Sequence, residues 1–210
     1  MFTFRRPTEE HVKAYLLSLK DAPLSYAPVG CTRDERQAEP VPQGFNRDQE
    51  RVLLGKGSEV FRRACQAIQT WQMMPPSVVQ PCPTNVPIEE GAMVANIFRA
   101  WTLGGWLVLP TRILYLIDET KGHFTRSGFA YGTVQGHWEH GEERFLIEWD
   151  RRDDSVWYDL LVFSRPRHPL ARLAYPYTRW EQARFRRLSC AAMREREGET
   201  ERRREGEKER

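Results

Sequence analysis

No CxxC pair occurs in this chain. Its four cysteines, Cys31, Cys65, Cys82 and Cys190, lie far apart, which argues against a zinc cluster and a thioredoxin-like site and fits reduced thiols in a cytosolic protein. A strong charge of either sign is also missing. The 32 basic and 29 acidic residues leave a formal net charge of +3, too weak a bias to indicate a nucleic-acid partner. There is no long apolar run. The best stretch, Trp101 to Ile117, is broken by Gly104-Gly105, Pro110 and Arg112, whereas a membrane helix needs roughly 20 uninterrupted apolar residues. The first residues show no basic segment followed by an apolar one, so no signal peptide is predicted. A cytoplasmic protein is expected, with no cofactor and no metal.

What the chain does carry is aromatic. Seven Trp, seven Tyr and ten Phe in 210 residues supply large side chains for one core, and residues 1–193 read as a single domain. Residues 194–210 are almost entirely Arg, Glu and Lys, with nothing to bury, and read as a disordered or frayed-helical tail.

The organising stretch is Gly128-Phe129-Ala130-Tyr131-Gly132-Thr133. As a strand it puts Phe129, Tyr131 and Thr133 on one face and Gly128, Ala130 and Gly132 on the other. A nearly bare face lets a helix, a second backbone or a ligand approach closely. The loop that follows concentrates His137, Glu139, His140, Glu142 and Glu143.

Taken in order, Thr8 caps a helix over about 8–20, with Val12, Tyr15, Leu16 and Leu19 at helical spacing. Residues 21–46 read as an irregular surface segment anchored by Tyr26 and Phe45. Arg51–Gly55 is a strand. Ser58 caps a second helix, with Val60, Phe61, Ala64, Cys65, Ile68 and Trp71 as its apolar stripe. Gly55-Lys56-Gly57-Ser58 lacks the upstream glycine and the Lys-Ser adjacency of a phosphate loop, so a strand-to-helix turn explains it. Strands follow over 92–101, 106–109, 111–118, 126–135, 143–150 and 155–164, with Pro110 at an edge or bulge. Leu170 to Met193 forms a last helix, bent at Pro176. The order predicts an α+β fold in which a curved antiparallel β-sheet wraps around a long C-terminal helix and leaves a cavity, the glycines giving the closest approach.

These passages also carry a resemblance. Pro23-Leu24-Ser25-Tyr26 with Val29-Gly30-Cys31-Thr32, Leu54-Gly55-Lys56-Gly57, Arg112 to Asp118, Gly128 to Thr133, Gly136-His137 with Gly141 to Phe145, and Phe163 to Pro166 together resemble the bacterial and plant family DUF1990, also called UPF0548. The resemblance spans roughly residues 1–193. Cys31 stands where a small residue is expected, and the charged tail lies outside the pattern. No catalytic residue carries over from the family. Its outline is similar to the helix-grip superfamily of lipid-binding and polyketide-cyclase-like proteins, which implies a fold and does not fix a function.

Several side chains are candidates for a site. His137 and His140 with nearby carboxylates could be metal ligands, but the set is incomplete and a polar hairpin loop accounts for them. Glu142 and Glu143 could act as acid and base, although on a strand only one of them can point inward. Trp101, Arg112, Tyr115 and Tyr131, with Gly128, Ala130 and Gly132, could line a pocket. Asp159 lies mid-strand on an apolar face and needs a cationic partner, for which Arg112 or Arg99 is expected; a structural ion pair and a ligand-orienting pair that makes Asp159 part of the binding site are equally open. The basic run Arg184, Arg186, Arg187 is read as solvated helix, with contact to an anionic membrane surface as the alternative. The expected partner is a small apolar or amphipathic molecule held between sheet and C-terminal helix. An enzyme using His137 and a neighbouring glutamate is the second expectation.

Overall fold

A computed structural model describes residues 1–33, 42–100 and 103–208, with side chains through Arg196. The sheet is antiparallel in the order β2-β8-β7-β6-β5-β4-β3. Its centre is a meander of β4 (Met93–Ala100), β5 (Gly105–Lys121), β6 (Phe124–Thr133), β7 (Glu139–Asp150) and β8 (Ser155–Pro166). β2 (Asn46–Lys56) closes one edge against β8, and β3 (Val79–Cys82) closes the other against β4. The short β1 (Phe2–Thr3) adds to β5.

Two helices lie on the inner face. α2 (Ser58–Gln69) delivers the predicted stripe of Val60, Ala64 and Ile68 into a core with Phe129, Tyr131, Phe145, Ile147, Tyr158 and Leu160. Its N-cap is Gly57 rather than Ser58, with φ of 94°, a conformation glycine adopts without a steric penalty. α4 (Tyr175–Lys208) covers the same face, sending Phe185 and Met193 into that core. β3 and β4 at one edge and β8 near the other border one cavity with α4, so the sheet curves around the helix as expected. The predicted bend at Pro176 is instead a break. A separate short helix, α3 (Pro169–Leu173), ends at Ala174, and Pro176 falls in the first turn of α4, where its missing N–H leaves no bond unmade.

The outer face is also covered. α1 (Glu9–Ser18), capped by Thr8 through the N–H of His11, packs Val12 and Leu16 against Ala95, Ile97 and Val108. The segment after it sets Tyr26 and Cys31 against Phe163, with Phe45 packed on the same ring. Residues 34–41 of that segment lie outside the described residues.

Two strands differ from expectation for identifiable reasons. β5 is one strand, not two. Pro110 accepts from Val134 N–H at 3.4 Å, so its nitrogen points to the side of β5 where β6 has ended and β1 has not begun, and no ladder donor is lost. β2 starts at Asn46, five residues before Arg51. As an edge strand it alternates between solvent and arginines of α4, so its residues are polar and hide the strand signal.

The bare face of β6 points outward, and this corrects the expected placement. Phe129 and Tyr131 face α2 and α4, Trp71 meeting the Phe129 ring edge-on at 5.3 Å between centroids. A Cβ on Gly132 would strike the Tyr26 hydroxyl, and one on Gly128 would strike the backbone carbonyl of Phe145. The glycines make room for the 21–33 segment and the neighbouring strand, not for a ligand. Gly128→Ala should therefore destabilise by about 1–3 kcal/mol, since the obstructing atom is backbone. In urea unfolding, Gly132→Ala combined with Tyr26→Phe should lose less than the sum of the two single changes, because removing the hydroxyl frees space for the new methyl.

Candidate functional site

Strand β7 divides its charged residues between the two faces of the sheet. Glu142 and Arg144 point outward, Glu139 and Glu143 inward, as a period of two requires. The outward pair is structural. Glu142 is 1% exposed, and its carboxylate accepts from the Tyr26 hydroxyl at 2.8 Å, Gly30 N–H at 2.8 Å and Thr32 N–H at 3.0 Å, with the Thr32 hydroxyl also bonded to it. Arg144 holds Asp159 at 2.8 Å and donates to the carbonyls of Thr32 and Arg33, while Gln49 donates to the second Asp159 oxygen. The partner of Asp159 is thus Arg144, one strand away, and neither Arg112 nor Arg99.

The remaining predicted pocket residues are also accounted for. Arg112 donates to the carbonyls of Lys20 and Ala22, closing the C-terminal end of α1. The Tyr115 hydroxyl joins Thr32 at 2.7 Å on the outer face, where burial raises its pKa. Gly128, Ala130 and Gly132 share that face, and Trp101 lies outside the described residues. Of the described members of the predicted ligand-binding set, Tyr131 alone borders the cavity, joined there by His137 and Glu143 from the catalytic candidates; Glu142 touches its wall while its carboxylate turns away.

The cavity holds about 560 Å³ between the inner face and α3–α4. Val79, Phe98, Leu107, Leu109, Val162 and Phe185 give it apolar walls. Leu170 and Leu173 border it while remaining 45% and 84% exposed, so it opens beside α3. Trp138 flanks this opening, stacked on His168 at 4.1 Å with 9° between the ring planes.

One corner is polar. The Tyr131 hydroxyl donates to Glu143 Oε2 at 2.5 Å. Gln182 of α4 donates to Glu139 Oε1 at 2.8 Å and to Ser164 Oγ at 3.0 Å. Burial pushes both carboxyls up to about 7; the Gln182 bond and the Arg179 charge oppose this at Glu139, the Tyr131 bond and the Arg186 charge oppose it at Glu143, and the charge of Glu139 adds to the rise at Glu143. Both keep some accessibility because the cavity opens onto them. His137 accepts the Glu139 N–H at Nδ1, 2.9 Å away, and burial pushes its ring down to about 3, so it is neutral at ordinary pH. Its position fixes the entry to β7. Among the described residues no group of three or more His, Cys, Asp or Glu side chains could hold a metal ion, and none of the four cysteines forms a disulfide.

Two arginines of α4 stand near this corner, and both are held elsewhere. Arg179 binds Asp48 through two bonds of 2.6 Å, and Arg186 lies 3.3 Å from the same carboxylate. In the basic run, Arg184 pairs with Glu181 at 3.3 Å. No helix among the described residues is long and apolar enough to cross a membrane.

The molecule is thus an α+β protein whose curved antiparallel sheet and C-terminal helix enclose a ligand-sized cavity with an acidic corner. The chain belongs to the family described as domain of unknown function DUF1990, whose model matches residues 25–192. It is 34% identical over 205 residues to a UPF0548 protein of Dictyostelium discoideum, covering 92% of this chain and 94% of that one. A UPF0548 protein of Deinococcus radiodurans is 35% identical over 184 residues, with 84% and 88% covered. Among solved structures, a hypothetical protein from Helicobacter pylori aligns with a TM-score of 0.44 at 11% identity, over 71% of this chain and 84% of that one.

The raised carboxyls have a signed consequence for stability. An acid whose pKa is higher folded than unfolded favours the folded state below its unfolded value and loses that contribution as pH rises through the folded value. For Glu143 the window runs from its ordinary value of 4.5 to about 7. Glu143→Gln should therefore gain stability relative to the parent between pH 5 and pH 8, by on the order of 3 kcal/mol at full ionisation. Paired urea titrations at the two pH values check this, and a difference independent of pH would contradict it.

Proposed function

We propose that the protein binds a small amphipathic molecule in the cavity between its sheet and α4, the apolar body against Phe98, Leu107, Leu109 and Phe185 and the polar end toward Glu139 and Glu143. The supporting observation is a cavity of about 560 Å³ that combines apolar walls with two carboxyls that form no ion pair among the described residues. That volume lies in the range of sites for drug-sized ligands, which pair mostly apolar walls with a few placed polar groups. Two half-buried carboxyls set against apolar walls without an ion pair are unfavourable as packing alone, so an occupant explains them better.

Native mass spectrometry of the protein purified from its source should detect a bound small molecule that denaturation releases. Leu109→Trp, which fills the apolar end and leaves the acidic corner intact, should abolish that adduct while remaining folded. Parent protein that carries no adduct and does not bind the neutral apolar dye Nile red would refute the reading.

A second reading, acid–base catalysis on the same ligand, is favoured by two carboxyls pushed up to about 7, where each can be protonated or ionised at neutral pH. Glu143 would exchange a proton with the substrate and Glu139 would hold its complement, with His137 positioning β7. In that case Glu143→Gln should still bind the recovered ligand but lose at least about 100-fold in conversion rate, the scale of one general acid or base. Equal conversion by parent and variant, followed by mass spectrometry, would leave binding alone.

A further inference from the structure

Hydrogen-bond demand at the acidic corner is unequal. Glu139 uses Oε1 and Glu143 uses Oε2, and their other carboxyl oxygens accept no hydrogen bond among the described residues. Asn96, at 4% exposure, borders the cavity beside Tyr131, and its Oδ1 is buried without a partner. Glu139 and Glu143 therefore each bring one carboxyl oxygen without a protein donor to the cavity, while Asn96 Oδ1 lies behind its wall with no accessible surface. The Arg186 guanidinium, its Nε equally buried, lowers the Glu143 pKa through its charge without an ion pair to either glutamate among the described residues. The other charged groups facing this corner are committed. Arg179 is taken by Asp48 and Gln182, Arg186 Nη2 by Asp48, and Arg184 by Glu181. The guanidinium of Arg99 lies over the Trp106 ring, 5.2 Å from its centroid, and His137 is engaged at Nδ1 by a backbone N–H.

A corner with two carboxyls, each with an oxygen to spare, fits a ligand head that donates several hydrogen bonds and carries positive charge. A primary ammonium has three N–H donors and no acceptor. A carboxylate head would set a third negative charge against the two carboxyls, and a hydroxyl could satisfy only one of them. Resting on the binding reading above, we infer that the cavity takes an amphipathic amine, its ammonium group held by Glu139 and Glu143 and its apolar body directed toward the opening beside α3.

Ammonium binding would favour the ionised carboxyls, so it should release protons and strengthen as pH rises. The test uses three probes of equal length, octylamine, octan-1-ol and octanoate, displacing Nile red from the full-length protein at pH 6 and pH 8. Octylamine should bind at least about tenfold tighter than octanol at pH 8 and weaken by about tenfold at pH 6, a difference of one charge-assisted contact. Octanol should show no such dependence. In Glu139→Gln and Glu143→Gln, each checked for a parent-like thermal transition, the amine preference over octanol and its pH slope should shrink. Octanoate binding best, or octylamine and octanol binding equally at pH 8, would overturn the assignment and leave the cavity as a binding site of another class. Nile red binding that none of the three probes displaces would also overturn it. Failure of Nile red itself to bind, with no adduct in the native mass spectrum, would remove the binding reading as well.

Discussion

The carboxylate of Glu142 is the fixed point of this molecule. It gathers the hydroxyl of Tyr26 and backbone N–H groups of Gly30 and Thr32 onto the outer face of β7, and Arg144 grips the carbonyls of Thr32 and Arg33 two residues further on. These bonds hold an irregular segment, poor in regular hydrogen bonds of its own, flat against the sheet. They also fix the parity of the strand. With residues 142 and 144 outward, 139, 141 and 143 must face inward, and a slip of one residue would exchange the two sets. The acidic corner is thus the reverse side of a structural anchor.

Much of the architecture was legible in the residues. Thr8 as a helix cap, the stripe on α2, the run of antiparallel strands and the closing helix all follow from local patterns, and the structure contains them. What the residues could not convey is which face of β6 meets the C-terminal helix. Alternation groups Gly128, Ala130 and Gly132 together, yet both faces of this strand are covered, one by α2 and α4 and the other by the segment bearing Tyr26. The choice between them depends on contacts more than 100 residues apart in sequence, such as Tyr26 with Glu142. The same distance hid the partner of Asp159, because Arg144 becomes its neighbour only through the register of β7 against β8.

The site was legible in part. Glu143 and His137 were among the candidates, but Glu139 was read with the polar loop, which in fact ends as β7 begins. A signal was present: Glu139 and Glu143 share the parity of Phe145 and Ile147, so carboxylates extend a row of core residues. An acidic side chain in an apolar row either has a buried partner or faces a cavity. For Asp159 it is the former, for Glu139 and Glu143 the latter. His137 drew attention as a titrating group, yet burial keeps its ring neutral.

Asp48 has no side chain in the hollow, yet it governs the charge there. By drawing both Arg179 and Arg186 toward the edge strand, it keeps them from bonding the glutamates, which feel these cations only at a distance. The bonds of Arg179 also hold Asp48 below the usual carboxylate range, so this sink stays ionised under conditions where the inner acids have begun to take up protons. The polarity of the interior is therefore set at the rim, by a residue that touches nothing inside.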